Sequence, residues 1–384
     1  MIQFTQMQPE TALRMAYNND VLGFYSTTIT APAYAEVTLG TLQPIRLYPS
    51  PGGTFYCNLS PYVTALINTK NFADTTVTDL SVADHQSFVY PASDGRLLTA
   101  SLTINVVPAA SGNNTPVITD TVTKNLVWLA AVQQHTDYRP VSVTDFQVLT
   151  PARPNAANQW YVKYWEGYPF DVCLYNTTPA LTLKNMANLQ HESFTMNGAC
   201  SRLFISDGRT DVTLEDFIAL VPGSNPLLVS RQDDADVYTL TVDKAPHCSG
   251  VYLKWLNNQG GYSYWLFENT YATDRSVKDL GELDADFNNL ADSFGRTTQI
   301  GRKSQDTLKL VAELLTPPQR NIVQNLLESP KVFLFTGTPF GRSNYHNWVE
   351  VSVKTNSARI KNPRQELTNF AIDIDLPERY TLSL

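Results

Sequence analysis

The chain has 384 residues, of which 43% are hydrophobic and 17% charged, and its formal net charge is −8. This length exceeds what one hydrophobic core usually serves, so two or three domains are expected. The low charge content and the many aromatic residues argue against disorder. Because residues 1–245 are acidic overall and residues 246–384 are neutral, neither part favours nucleic acid as a specific ligand.

Residues 1–155 predict a β-sandwich with one short helix. Ser60-Pro61 predicts the start of this helix, since Ser is a good N-cap and Pro suits the first turn. Apolar residues at helical spacing follow: Tyr62, Val63, Leu66 and Ile67. From Leu98 to Val106 apolar residues alternate with Thr, Ser and Asn, which predicts a half-buried strand. The turn-rich segments 108–116 and 151–158 predict boundaries.

Residues 156–245 predict a second β-domain, which ends near residues 244–247. Phe170–Leu174 and Tyr238–Val242 show the same alternation as the strand above. Aromatic residues that could contact a glycan are Tyr161, Tyr164 and Trp165. A packed strand edge or an interface is the favoured interpretation of this cluster, and stacking on sugars is the alternative.

Residues 246–384 begin with a predicted hairpin, two runs of strand formers hinged on residues 257–261. Both faces of the hairpin are apolar, although one core needs only one apolar face. We therefore expect another domain or a neighbouring subunit to cover the second face. The predicted interface residues are Tyr252, Trp255, Tyr262, Tyr264, Trp265 and Phe267.

A second helix is predicted over 316–330. Thr316 and Gln319 have the spacing of a capping box, and Pro330 ends the helix. The predicted core face consists of Ile322, Val323, Leu326 and Leu327. The acidic segment 279–296 predicts a long loop or a frayed helix, and the last strand alternates from Asn369 to Leu376.

No catalytic, cofactor or metal site is predicted. Asp284–Asn288 resembles the start of a calcium loop, but Asn289 and Gly295 stand where Gly and a bidentate Glu are required. A solvated turn is favoured for the acidic cluster Asp233, Asp234 and Asp236 over a contact with a cation or a sugar. The five histidines never fall at a spacing that forms a local zinc ligand pair.

Compartment and membrane signals are few. The four cysteines are far apart and form no C-x-x-C pair, so we expect reduced thiols from a reducing cytoplasm; they are Cys57, Cys173, Cys200 and Cys248. The first residues lack the basic and apolar regions of a signal peptide. The longest apolar run, Leu126 to Val132, is too short to span a bilayer, so no membrane insertion is expected.

Four segments of the C-terminal third have a distinctive sequence: Val251–Asn257, Gly260–Phe267, Trp348–Val353 and Thr368–Ile374. In these segments the chain resembles tail proteins of phages and prophages of Bacteroidota. The predicted order of elements over 306–376, a strand, a helix and three strands, is similar to the ring-forming module of distal tail and tail-tube proteins. Weaker similarity lies in Phe55–Ser60 and Gly167–Val172. Distal tail proteins usually place this module first, whereas here it is last, so the position in the tail stays open.

The resemblance implies a mainly β structural protein without catalytic residues, in which β-sandwiches precede a strand–helix–strand tail-tube or distal-tail-like module. It would form a homo-oligomeric ring, a hexamer or another symmetric ring, with other phage tail proteins as partners. It would be made in the cytoplasm of the host bacterium and located in the virion tail. The alternatives are a carbohydrate-binding tail adhesin, based on the aromatic cluster and the acidic loops, and a tail-associated glycosidase.

Overall fold

The computed structural model describes residues 1–92, 95–109, 119–135, 139–154, 158–231, 237–284, 297–355, 357–359 and 365–383. The chain is mainly β with several sheets, as the sequence predicts. The α-helices are α1 (Ser60–Ile67) and α2 (Pro317–Gln324). Short 3₁₀ helices cover Asn68–Lys70, His85–Phe88, Leu214–Asp216, Asn325–Glu328 and Tyr345–Asn347.

The described strands are numbered in chain order. The first are β1 (Ile2–Gln6), β2 (Leu13–Met15), β3 (Val21–Ser26), β4 (Pro32–Leu39), β5 (Ile45–Leu47), β6 (Phe55–Asn58), β7 (Val89–Pro91), β8 (Leu97–Pro108) and β9 (Asp120–Leu129). The next are β10 (Gln147–Val148), β11 (Gln159–Trp165), β12 (Pro169–Tyr175), β13 (Ala180–Asn185), β14 (His191–Thr195), β15 (Cys200–Asp207), β16 (Gly223–Arg231) and β17 (Tyr238–Ala245). The last are β18 (Val251–Leu256), β19 (Tyr262–Phe267), β20 (Asn269–Asp279), β21 (Glu282–Asp284), β22 (Thr297–Gln299), β23 (Arg302–Leu315), β24 (Val332–Phe335), β25 (Trp348–Val353) and β26 (Thr368–Asp375).

Two sheets form the first part of the chain, with strand orders β1-β3-β6 and β2-β9-β8-β4-β5. The predicted strand lies within β8, and its Leu102, Ile104 and Val106 are fully buried. α1 begins at the predicted residue, but Ser60 does not cap it. Leu59 occupies the N-cap, and the Ser60 hydroxyl donates to the Ala16 carbonyl at 2.9 Å.

A four-stranded sheet, β10-β12-β15-β7, combines strands from both sides of the boundary predicted at residue 155. Every residue of β12 and β15 is buried. The half-buried strand predicted over Phe170–Leu174 is therefore wrong in its burial, because other parts of the chain cover both faces of β12. Asp171 and Arg202 consequently lie in the interior.

The third sheet of this region has the order β11-β17-β16-β13-β14. Its β11 pairs in parallel with β17, while the other pairs are antiparallel. In β17 the apolar residues Tyr238, Leu240 and Val242 are buried, which confirms the predicted alternation.

A seven-stranded antiparallel sheet, β19-β18-β24-β25-β26-β23-β20, contains strands from residues 251–375 only. The β18–β19 hairpin has the predicted position. The helix start is confirmed, since the Thr316 N–H donates to Gln319 Oε1 at 3.0 Å. α2 packs against β11 and β26, where Phe370, Ile372 and Ile374 are buried.

The sequence predicts a long loop or a frayed helix over the acidic segment 279–296, but its described part, residues 279–284, contains strand β21. Strands β21 and β22 pair with each other and extend the β20–β23 hairpin, because backbone pairing satisfies the polar groups of this solvated chain. Residues 285–296 lie outside the described residues, as do residues 110–116 and 155–157 of the two turn-rich segments.

Candidate functional site: a buried ionic cluster and an exposed ribbon

The six predicted interface residues of the β18–β19 hairpin lie in the interior of the chain. None of their side chains is more than 5% exposed. The Trp265 ring packs edge-on against Trp165 at 4.9 Å between ring centroids, and the Tyr252 and Tyr168 rings lie 4.6 Å apart. Of the two coverings expected for the second apolar face, another domain or a neighbouring subunit, the structure shows the first: β11 and β12 of the same chain cover it. The interface role predicted for these six buried side chains is therefore corrected to a role in the core.

The turn of this hairpin is fixed by polar contacts with the first part of the chain. Asn257 Nδ2 donates to the Leu149 carbonyl at 2.9 Å, and Arg96 Nη1 donates to the Gly260 carbonyl at 2.6 Å. The Val132 N–H donates to the Asn258 carbonyl at 2.7 Å. The turn therefore holds two parts of the chain together.

In the aromatic cluster, Tyr164 and Trp165 fit the favoured interpretation, a packed strand edge, since they are buried on the edge strand β11. Tyr164 and Trp165 are each 1% exposed. Tyr161 is half-buried, and its hydroxyl donates to Asp243 Oδ2 at 2.7 Å and accepts from Gln319 Nε2 at 3.2 Å. Stacking on a sugar requires an accessible ring face, which the buried rings of Tyr164 and Trp165 do not offer.

Four charged side chains form a buried ionic cluster: Asp74, Asp171, Arg202 and Lys254. Arg202 bonds both carboxylates, since its Nη1 donates to Asp74 Oδ1 at 2.8 Å and its Nη2 to Asp171 Oδ1 at 2.7 Å. Lys254 Nζ donates to Asp74 Oδ2 at 2.7 Å. The two positive charges match the two negative ones, so the cluster is formally neutral.

The cluster joins all three predicted parts of the chain. Asp74 follows α1, Asp171 and Arg202 lie on β12 and β15, and Lys254 lies on β18. The Tyr264 hydroxyl on β19 donates to Asp171 Oδ1. Because an unpaired buried charge is costly, this network favours one relative arrangement of the elements that carry it.

The pKa directions agree with this pairing. Burial alone would raise the pKa of the Asp74 carboxyl, but the charges of Arg202 and Lys254 outweigh burial and lower it well below the usual range. The pKa of Asp171 is lowered in the same way, mainly by Arg202. Burial lowers the pKa of Lys254, although Asp74 opposes this, and burial raises the pKa of Tyr264.

The cluster has no room for a substrate. The cavity beside Asp74, Arg202 and Lys254 has a volume of about 30 Å³, and one water needs roughly 10–15 Å³ on this measure. Its geometry therefore suits a structural link between sheets and not chemistry on a bound molecule.

The remaining candidates that the sequence raises are metal-ligand groups and acidic loops. Among the described residues, no group of three or more His, Cys, Asp or Glu side chains is placed to hold a metal ion. The acidic cluster at 233–236 and most of the calcium-loop candidate lie outside the described residues. Within the described chain, no helix has both the length and the apolar character needed to cross a membrane.

The second candidate site is the exposed ribbon, defined as residues 272–284 and 297–305 of the β20–β23 hairpin and its β21–β22 end. β20 is an edge strand, and in the described chain only β23 pairs with it. Residues 273–280 are all exposed, so both faces of β20 meet solvent there. Exposed apolar side chains on the ribbon are Val277, Leu280 and Leu283, which are 41–55% exposed.

The C-terminal segment extends this exposed surface. The Arg379 N–H donates to the Ser304 carbonyl at 3.1 Å, which places the segment beside β23. Tyr380 and Leu382 of this segment are almost fully exposed.

Four charged side chains of the ribbon, Asp274, Arg275, Asp279 and Arg302, form ion pairs across the β20–β23 hairpin. Arg275 Nε lies 2.6 Å from Asp306 Oδ1, Arg302 Nε lies 2.9 Å from Asp279 Oδ1, and Lys309 Nζ lies 2.7 Å from Asp274 Oδ2. These pairs leave the β20 edge locally balanced in charge, so a neighbouring strand would meet little like-charge repulsion.

Comparison with known proteins gives no family. No protein-family model matches the chain, and no curated protein matches it. Among solved structures, the fibronectin(III)-like modules of Clostridium thermocellum CbhA match with 8% identity, 64% of this chain, 95% of that chain and a TM-score of 0.19. Domains 1–6 of the surface layer protein SbsC match with 11% identity, 81% of this chain, 37% of that chain and a TM-score of 0.17.

A third solved structure, of a 1.5-MDa bacterial ice-binding adhesin, matches with 11% identity, 82% of this chain, 91% of that chain and a TM-score of 0.17. At these TM-scores the matches carry no argument about function. The function is therefore argued from the chain's own residues.

Proposed function

We propose that the chain is a structural subunit of a phage tail, in a distal-tail, baseplate or tail-hub ring, and that copies assemble through the exposed ribbon. The observation that carries the proposal is the edge strand β20, which combines an unpartnered edge in the described chain with exposed apolar residues. An open edge presents backbone N–H and C=O groups that a strand of another copy can pair with.

A ring requires a heterologous contact, in which the ribbon of one copy meets a different surface of the next. Apolar side chains on the ribbon would stabilise the contact beyond backbone pairing. Each square ångström of apolar surface that the contact buries contributes about 25 cal/mol. The alternation of Asp, Arg and Lys on the same strands restricts which partner surfaces fit.

The buried ionic cluster supports this role from within the subunit. It holds Asp74 of a loop together with Arg202 and Lys254 of two different sheets. Because β18 belongs to the same seven-stranded sheet as the ribbon strands β20 and β23, the cluster helps to fix the direction of the ribbon relative to the other sheets. A ring needs such rigidity, because small angular errors accumulate around it.

The placement in a phage tail rests on the resemblance of residues 246–384 to tail proteins of Bacteroidota phages. Other tail proteins are the proposed partners, the virion tail is the proposed location, and no catalytic residue is assigned. In tailed particles induced from a bacterium that carries this coding sequence, mass spectrometry is expected to detect the chain. Its absence from intact particles would contradict the placement.

Ring assembly is tested with the ribbon variant Val277→Lys/Leu280→Lys and the control Val82→Lys, which alters an exposed apolar residue elsewhere. Light scattering should give a multi-subunit mass for the parent and the control, and a monomer mass for the ribbon variant. Negative-stain images of the parent should show rings. A monomeric parent, or a ribbon variant that still forms rings, would overturn the proposal.

A further inference from the structure

Three adjoining cavities of the chain meet at Arg139. Their volumes are about 640, 360 and 280 Å³, and Arg139 lines all three. We call them together the polar cleft. Its walls come from the first part of the chain, from the turn of the β18–β19 hairpin and from α2. Ligand sites often lie at such junctions and have volumes of roughly 300–1,000 Å³.

The wall of the second cavity is rich in side-chain amides. Seven of its twelve lining residues are Asn or Gln. Asn321 and Gln324 lie on the polar face of α2 and are half-buried, while Ile322 and Val323 on the other face are buried in the core. Gln324 Nε2 donates to Asn321 Oδ1 at 3.4 Å, so the pair presents the Asn321 NH₂ group as a donor and Gln324 Oε1 as an acceptor, both without a charge. The wall therefore matches a ligand whose groups both donate and accept. The hydroxyl groups of sugars have this property.

The third cavity contains a buried donor without an acceptor. Trp160 lines this cavity and is 2% exposed. Its indole N–H has no hydrogen-bond partner among the described residues. A buried donor left in this state costs about 1–3 kcal/mol. The N–H itself has almost no accessible surface, so a ligand hydroxyl would accept from it only after a small shift of the ring toward the cavity.

The charges of the polar cleft favour a neutral ligand. The arginines Arg139 and Arg153 are matched by the carboxylates Asp145 and Glu328. Arg153 Nη2 donates to Gln259 Oε1 at 2.9 Å, so part of its guanidinium is already engaged. An anionic ligand would bind more favourably at a site with an excess of positive charge.

A peptide fits the cleft less well than a sugar. Peptides often bind by adding a strand to an open sheet edge, and residues of the edge strands β2, β10 and β11 line the cleft. The edge of β2 is already paired, because the Leu13 N–H donates to the Val141 carbonyl and the Val143 N–H donates to the Thr11 carbonyl, both at 2.8 Å. On β11 the Tyr161 N–H donates to the Ala152 carbonyl at 2.9 Å.

We propose that the polar cleft binds a neutral oligosaccharide through the amides of α2 and the Trp160 indole N–H. This site differs from the aromatic cluster at residues 161–165 and is independent of ring assembly, since none of its lining residues belongs to the exposed ribbon. The chain would thus carry a glycan site on the same subunit that assembles.

The test uses the full chain and an array of neutral hexose oligosaccharides, with uronic-acid oligosaccharides and peptides as comparison probes. Any sugar that binds is then titrated against the parent, Asn321→Ala/Gln324→Ala, Trp160→Phe, and the control Gln3→Ala/Gln6→Ala, whose two amides are exposed on β1. Loss of two hydrogen bonds should weaken binding about tenfold in the α2 variant. Trp160→Phe, which keeps an aromatic ring but removes the donor, should weaken it severalfold.

The control should bind like the parent, and light scattering should give all variants the parent's mass, which separates this site from the ring interface. Binding of no neutral sugar, binding only of acidic sugars or peptides, or binding that the α2 and Trp160 variants leave unchanged would each overturn the proposal.

Discussion

Lys254 and Asp74 are 180 positions apart in the chain, yet Lys254 Nζ lies 2.7 Å from Asp74 Oδ2 in the interior. The ammonium group also lies 4.4 Å from the centre of the Trp348 ring, so it has both a carboxylate and an aromatic face as partners. Arg202 shares the same carboxylate. Asp74 thus connects a loop of the first part of the chain to two sheets, one containing Arg202 and the other containing Lys254.

The first prediction follows from this shared carboxylate. Asp74→Ala leaves Lys254 and part of Arg202 without a carboxylate partner in the interior, so the free energy of unfolding should fall by about 3–5 kcal/mol. The control is Asp274→Ala, which removes the partner of Lys309 on the exposed ribbon. Exposed pairs contribute roughly 0–1 kcal/mol. Urea denaturation of both variants checks this, and equal losses would contradict a special role for the buried cluster.

The second prediction concerns acid pH. The pKa values of Asp74 and Asp171 are lowered in the folded chain from an ordinary value of 3.8. The stabilisation from these carboxylates is therefore fully present above about pH 4 and is lost as the pH falls through the folded pKa values, because the unfolded chain takes up the protons first. The midpoint of thermal unfolding should fall steeply below about pH 4. Asp74→Asn should show a shallower decline, and a decline as steep as the parent's would contradict this assignment.

Much of the β fold could be predicted from the sequence, because strands with one solvated face leave a period-two pattern. The predictions for Leu98–Val106 and Tyr238–Val242 are confirmed on this ground. Phe170–Leu174 shows the limit of the rule. The alternation there predicts that Asp171 faces solvent, whereas it is buried and paired with Arg202.

The ionic cluster itself was not predicted, because its members are far apart in the sequence and each looks like a surface residue. One local signal existed. Lys254 stands in a hairpin whose two faces are both apolar, so its charge had no solvated face to occupy. Which residue pairs with Lys254, however, depends on tertiary contacts that only the structure gives.

The third prediction concerns Trp255 and Trp265, which are buried within the chain. Trp255→Ser and Trp265→Ser should each lower the free energy of unfolding by about 3–5 kcal/mol, because each leaves a cavity in a packed core. Tyr48→Ser, which alters an exposed ring, is the control and should change stability by less than about 0.5 kcal/mol. Where the Trp variants remain folded, light scattering should give the parent's mass. Loss of assembly without loss of stability would show that the hairpin contacts a neighbouring copy after all.

The fourth prediction concerns Gly261 in the hairpin turn. A Cβ at this position would lie 2.0 Å from the Leu149 carbonyl oxygen and 2.9 Å from the Leu149 Cβ. The same carbonyl accepts from Asn257 Nδ2, so Gly261→Ala would push the turn away from the first part of the chain and weaken that hydrogen bond. Overpacking of this kind costs typically 1–3 kcal/mol.

Gly52→Ala is the matched control, since the nearest atom to a Cβ there is 4.0 Å away. It should change the free energy of unfolding by less than about 0.5 kcal/mol, as an ordinary surface substitution does. Chemical denaturation measures the two losses, and hydrogen exchange at the Asn257 turn locates the effect. The three atoms nearest to such a Cβ all belong to Leu149. Equal stability of the two variants would therefore mean that the contact between the turn and residue 149 is loose and contributes little to the rigidity of the subunit.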